Sequence, residues 1–159
     1  MSSPLQQTAD TITRAAGWSP AVPDNDGVFR FSLEDGLDFE LFSPDNSTCI
    51  LFAVLGDAPK DDAPSEDEVR RLAALSAGCM KKRRSVFSIG ERGLELYRMF
   101  RFADTSENTL IPEVRDFLND LAWWKRQISG SGSASSTGMP QSPFSFSFGG
   151  WFSADSFQR

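Results

Sequence analysis

The chain has 159 residues, no histidine and a formal charge of −6, with an isoelectric point near 4.6. Without histidine there is no Ser-His or Cys-His nucleophilic pair and no His-based zinc site. The acidic balance argues against nucleic acid as a partner, because phosphate binding needs net or clustered positive charge.

The length corresponds to about one domain, and 14 Phe and 4 Trp in a chain that is 40% hydrophobic supply large side chains for a core. Met1-Ser2-Ser3-Pro4-Leu5 has neither a basic n-region nor an apolar h-region, so no signal peptide is expected. No apolar run approaches the length that crosses a bilayer, so no membrane insertion is expected. Cys49 and Cys79 lie far apart with no CxxC spacing. They are expected to be reduced, mostly buried thiols of a cytoplasmic protein. No motif for a cofactor or a metal is present in this reading.

Taken in order, Ser3 and Pro4 predict a helix over residues 3 to 16, with Ser3 as N-cap, Leu5, Ala9, Ile12 and Ala16 at helical spacing and Gly17 as its stop. Trp18 to Gly27 is a Pro- and Gly-punctuated loop. Val28 to Leu33 then alternates at period two with Phe29, Phe31 and Leu33 on one side, and Glu34-Asp35-Gly36 predicts a tight hairpin. Leu37, Phe39 and Leu41 alternate with Asp38 and Glu40, and Pro44 to Ser47 makes the next turn. Cys49 to Leu55 is apolar at every position, which predicts a strand inside the sheet, covered on both faces.

After a loop from Gly56 to Pro64, Ser65 and Glu68 form a capping-box pattern for a second helix that runs to about Gly78 or Met80. Lys81, Lys82, Arg83 and Arg84 follow. This cluster reads as a helix end matched to the dipole, as a docking patch for an acidic partner, or as a nucleic-acid or localisation signal. Ser85 to Ile89 is a short strand and Gly90 to Gly93 a turn. Leu94 to Phe102 is a long strand that slips phase, with Leu94 and Leu96 on one side and Tyr97 and Met99 on the other. Such a strand is either central or has one face at an interface.

The strongest helical pattern is Leu110, Val114, Phe117, Leu118, Leu121, Trp124 and Ile128, capped by Asn108 or Thr109 with Pro112 in the first turn. Residues 129–159 are Ser/Gly-rich and then aromatic, from Phe144-Ser145-Phe146-Ser147-Phe148 to Trp151, Phe152 and Phe157. They read as a flexible tail, or as a strand added to a sheet edge. The expected architecture is therefore α+β: a twisted antiparallel sheet of about five strands with three helices in the order α-βββ-α-ββ-α, as a domain over 1–128, with a tail over 129–159.

That order, together with Leu72-Ala73-Ala74-Leu75, Val86-Phe87-Ser88-Ile89, the Gly90 to Gly93 turn, Leu94-Glu95-Leu96-Tyr97 and the closing-helix pattern, resembles the class I type III secretion chaperones over about residues 4 to 128. Size, acidity and the serine-rich aromatic tail are similar to the HpaB-type general export chaperones of plant-pathogenic bacteria. The resemblance implies a cytoplasmic homodimer that binds the N-terminal regions of secreted effector proteins in non-globular form. It delivers several of them to the secretion apparatus, with the secretion ATPase or other apparatus components as further partners.

On this resemblance Leu72, Leu75, Met80, Tyr97 and Met99 are the dimer-interface residues. Leu5, Ile12, Phe29, Phe31, Phe39 and Leu41 line the effector groove, with ordinary core as the competing role for each. Lys81 to Arg84 would dock on the machinery. The alternative is a regulatory or docking component that binds the machinery or a transcriptional regulator instead of effectors. An enzyme is the third reading; Asp38 and Glu40 sit on the polar side of an alternating strand, where solvation explains them, and no catalysis is expected.

Overall fold

The computed structural model describes residues 2–33, 36–60 and 63–130. The elements are α1 (Pro4–Ala16), β1 (Phe29–Phe31), β2 (Phe39–Phe42), β3 (Thr48–Gly56), α2 (Ala63–Cys79), β4 (Val86–Gly90), β5 (Gly93–Arg101), a 3-10 turn (Phe102–Asp104) and α3 (Glu107–Ser129). This is the expected order. The strands form one antiparallel sheet in the order β1-β2-β3-β5-β4, so β5 lies between β3 and β4.

Local chemistry sets the helix ends. The Ser3 hydroxyl accepts from the Gln6 N–H at 3.1 Å, Pro4 needs no partner for its nitrogen, and Gly17 at φ 70° closes α1. In α2 the helix starts at Ala63, so Ser65 lies inside the first turn instead of capping it. In α3 Ser106 is the N-cap, ahead of the expected Asn108 or Thr109, and its N–H donates to Thr109 Oγ1 at 2.9 Å. Pro112 therefore stands beyond the first turn and removes one internal hydrogen bond.

The helices pack on one face of the sheet. That face carries Phe29 and Phe31 of β1, Phe39 and Leu41 of β2, Cys49, Leu51, Ala53 and Leu55 of β3, and Leu94 and Leu96 of β5, which all join one buried cluster. Ala9 and Ile12 come from α1, Leu72 from α2, and Leu110, Val114, Phe117, Leu118, Leu121 and Trp124 from α3. Rings fix the layers to one another: Phe31 stacks on Phe39 at 4.7 Å, Phe39 meets Phe117 edge-on at 6.2 Å, and Phe87 stacks on Trp124 at 4.4 Å. Gly93, at φ 115°, lets the β4–β5 turn press on the end of β3. A β-carbon there would lie 2.2 Å from the Gly56 carbonyl oxygen, so the turn admits no larger residue.

Three expectations about the strands are corrected. The hairpin between β1 and β2 is wider than an Asp-Gly turn, since the strands begin at Phe29 and end at Phe42 and leave 32–38 between them; residues 34 and 35 lie outside the described residues. β3 is central, yet among the described residues only one of its faces is covered by helices: Cys49, Leu51, Ala53 and Leu55 are buried while Ile50, Phe52 and Val54 are half-buried. β5 does not slip phase. Arg98 holds a core-side position opposite Leu51 at 4% exposure, its Nε 2.6 Å from Glu113 Oε2. Its Nη1 and Nη2 find no acceptor among the described residues.

Both cysteines are free, and burial pushes the Cys49 thiol up to about 12. No described helix is long and apolar enough to cross a membrane. Ser129, the first residue of the tail expected over 129–159, is the last residue of α3; residues 131–159 lie outside the described residues.

Candidate functional site

The second face of the sheet has no helix on it among the described residues, and the pleat places every second side chain there. The pairing aligns them in rows. Arg30, Glu40, Phe52, Tyr97 and Val86 stand opposite one another across β1, β2, β3, β5 and β4. Phe42, Ile50 and Met99 form the row on one side of it, and Val54, Glu95 and Ser88 the row on the other. The result is an apolar strip of Phe42, Ile50, Phe52, Val54, Tyr97 and Met99. Met99 is 60% exposed and Val86 47%. Phe42 and Phe52 meet edge-on at 6.4 Å.

A charged rail borders the strip on the β1–β2 side. The Glu40 carboxylate accepts from Arg30 Nη1 at 2.5 Å and from both terminal nitrogens of Arg92 at 2.7 and 2.9 Å. Arg92 reaches there across the sheet from the β4–β5 turn and lies over the Phe52 ring at 5.0 Å. Its hydrogen bonds to Glu40 hold its own pKa above the ordinary arginine value. Asp24 accepts from the Val28 N–H at 2.9 Å and from Arg30 Nε at 3.1 Å; the Val28 bond first, with Arg30, lowers its pKa. Between rail and strip lies a shallow cavity of about 240 Å³ lined by Arg30, Asp38, Glu40, Phe52, Val54 and Arg92. Glu40 is fully engaged by two guanidinium groups, which suits it to organise a surface.

A second polar cluster fastens the basic loop after α2. Asp120 of α3, buried at 5% exposure, accepts from Arg83 Nη1 at 2.8 Å, from the Ser85 N–H at 3.2 Å and from the Ser85 hydroxyl at 2.7 Å. Arg83 also lies over the Trp123 ring at 4.3 Å. Arg84 pairs with Glu113 at 3.2 Å. The expected docking quartet is thus divided: Arg83 and Arg84 tie the loop to α3, and Lys81 and Lys82 are exposed.

The expected effector residues are placed differently from an open groove. Phe29, Phe31, Phe39, Leu41 and Ile12 are core side chains at 0 to 6% exposure, and Leu5 is half-buried. These are corrected to packing positions, because the helical layer occupies the volume a bound segment would need. The expected dimer residues do not form one patch. Leu72 is buried at 1% and Met80 is 69% exposed, while Leu75 packs against the core. Tyr97 and Met99 lie on the opposite face of the sheet. The residues missed were Phe42, Ile50, Phe52 and Val54, together with the Arg92–Glu40 rail. A signal was available: three amphipathic helices supply stripes enough for one sheet face, so the second apolar face of β3 and β5 had no helix left to cover it. Among the described residues no group of His, Cys, Asp and Glu could hold a metal ion.

No protein-family model matches the chain, and no curated protein does. Solved structures do match in fold. The HopA1–SchA chaperone–effector complex superposes with a TM-score of 0.58 at 18% identity over 76% of this chain and 91% of the matched one. The ExsC–ExsE complex gives 0.58 at 16%, covering 76% and 90%. The Yersinia pestis type III secretion chaperone SycH, in complex with a stable fragment of YscM2, gives 0.52 at 11%, covering 76% and 98%. With helices on one face, an uncovered apolar strip on the other and the order α-βββ-α-ββ-α, this chain has the fold of the class I type III secretion chaperones.

Proposed function

We propose that this chain is a non-catalytic export chaperone of the cytoplasm. It holds the N-terminal regions of secreted effector proteins in non-globular form, serves several of them and passes them to the secretion apparatus. The observation that carries the reading is the apolar strip on the uncovered sheet face, in a fold shared with complexes of chaperones and their clients. An unfolded segment exposes apolar side chains, and a bare apolar sheet face with a polar rail accepts them without demanding one sequence. The rail limits the strip on one side, so a segment lies along β3 and β5 with its apolar residues on Phe52, Tyr97 and Met99.

The reading includes a homodimer. Leu72 is committed to the core, so the side of α2 that carries Ala73 and Ala77, with Met80 just past its end, is the surface available for pairing. Light scattering on the purified protein is expected to give twice the chain mass of 17.6 kDa.

The functional test is affinity purification of the tagged protein from its own host under secretion-inducing conditions, followed by mass spectrometry, with Met99→Asp run in parallel. Several secreted proteins retained through their N-terminal regions, and lost from Met99→Asp, are the expected result. Recovery of apparatus components or regulators alone would replace this reading with the docking one. Equal recovery by both baits would remove the strip from it.

A further inference from the structure

We propose that residues 144–152 of this same chain dock on the uncovered sheet face and cap it until a client segment displaces them. The capping role rests on the function proposed above; the docking does not.

The first support is where α3 delivers the chain. Its last turns lie at the end of the sheet where β3 finishes: Ile128 Cγ2 is 3.9 Å from the point where a β-carbon on Gly56 would sit, Lys125 Nζ contacts the Gly36 carbonyl, and the Gln127 carbonyl accepts from Arg71 at 3.1 Å. Val54 and Phe52 are the first strip residues met on turning round that end. Residues 131–143 then precede Phe144, and such a length spans at most about 45 Å when extended. The strip is three to four strands wide, about 15 Å at ordinary strand spacing, so its whole length is within reach.

The second support is pattern. Phe144, Phe146 and Phe148 alternate with Ser145 and Ser147, which in an extended chain puts the rings on one side at about 6.6 Å intervals. Ile50, Phe52 and Val54 on β3 have the same interval and stand in three successive rows. Three phenyl rings thus meet three rows in register, the serines face water, and backbone groups point sideways into solvent. Met99 offers sulfur to an aromatic ring.

The third support is charge. Residues 144–152 carry none, so they bring no ion to be desolvated against the apolar strip, and the rail beside it has its charges paired. A tethered segment also competes at an effective concentration near millimolar. Weak contacts therefore suffice to cover the strip, yet yield to a longer client.

The test places p-benzoyl-phenylalanine at position 146 of the full chain, irradiates an equal mixture of light- and heavy-isotope protein, and maps crosslinks by mass spectrometry. The expected result is crosslinks within one chain to peptides carrying Phe52, Tyr97 or Met99, reduced at least threefold by Met99→Asp. Crosslinks only between light and heavy chains would make a second copy the occupant and overturn the proposal. Crosslinks confined to the helical layer or to the β4 edge, or none, would overturn it as well. The full-length variant Phe144→Ser/Phe146→Ser/Phe148→Ser is expected to bind the N-terminal region of a captured effector at least fivefold more tightly. If the intrachain crosslinks form and this gain is missing, capping is refuted and docking stands. If no effector region binds either protein, the chaperone reading fails while the crosslinks still decide the docking.

Discussion

The two faces of one sheet differ in what covers them far more than in what they are made of. On β3, Cys49, Leu51, Ala53 and Leu55 lie at 0 to 9% exposure beneath the helices, and Ile50, Phe52 and Val54 on the same strand lie half-buried on the other side. Both sets are apolar. A large uncovered apolar surface on a folded chain usually marks a place where something binds. The covered face holds the fold, and the other face is the surface proposed to receive a partner.

The largest effect that would sharpen this contrast is loss of a ring from the covered face. Phe39, at 1% exposure between Phe31 and Phe117, is expected to cost about 3–5 kcal/mol as Phe39→Ala. Phe52→Ala, across the sheet plane, is expected to cost no more than about 1.5 kcal/mol, since it loses one edge-on ring contact and one guanidinium contact. Urea midpoints of the two variants measure the difference, and equal midpoints would break the comparison.

Next comes the clamp between the basic loop and α3. Asp120→Ala leaves Arg83 and Ser85 without their shared acceptor and is expected to cost about 2–3 kcal/mol. Lys82→Ala, on the exposed part of the same loop, is expected to fall within about 0.5 kcal/mol of the parent.

Thiol labelling reads the covered face directly. Burial holds the Cys49 thiol near 12, so it stays protonated and shielded in the native fold, while half-buried Cys79 is expected to react first. Labelling of Cys49 should follow global unfolding under urea; fast labelling of both in native buffer would mean that the covered face opens.

The smallest effect is at the β2–β3 turn. Backbone N–H groups of Ser47 and Thr48 donate to Asp45 and hold its carboxyl at about 2, below the ordinary 3.8. The folded value lies below the unfolded one, so the stabilisation is fully present above about pH 4 and is lost as pH falls through about 2. Carbon NMR of the Asp45 carboxyl should show the low midpoint, and Asp45→Asn should flatten the acid-side slope in that window.

Much of the covered half was legible in the sequence. Ser3, Pro4 and Gly17 fix α1, and the stripe from Leu110 to Trp124 names the face of α3 that enters the core, because capping chemistry and helical period are local properties. The bare half was not. Unbroken apolarity along β3 reports that both faces are apolar, and carries no information on which face a distant helix covers. That choice placed Phe29, Phe31, Phe39 and Leu41 in the core and left Phe42, Phe52 and Val54 outside. Arg98 was hidden for a related reason. A guanidinium on the core side reads as a break in phase until the carboxylate that pairs with it, Glu113 in another element, is brought beside it.

The most direct measurement of the central claim is a calorimetric titration of the N-terminal region of a captured effector into the parent protein and into Met99→Asp, with urea midpoints taken on both. The expected result is affinity reduced at least tenfold by Met99→Asp with midpoints that agree within error. Undiminished affinity in Met99→Asp would contradict the claim and move the binding surface away from the uncovered face.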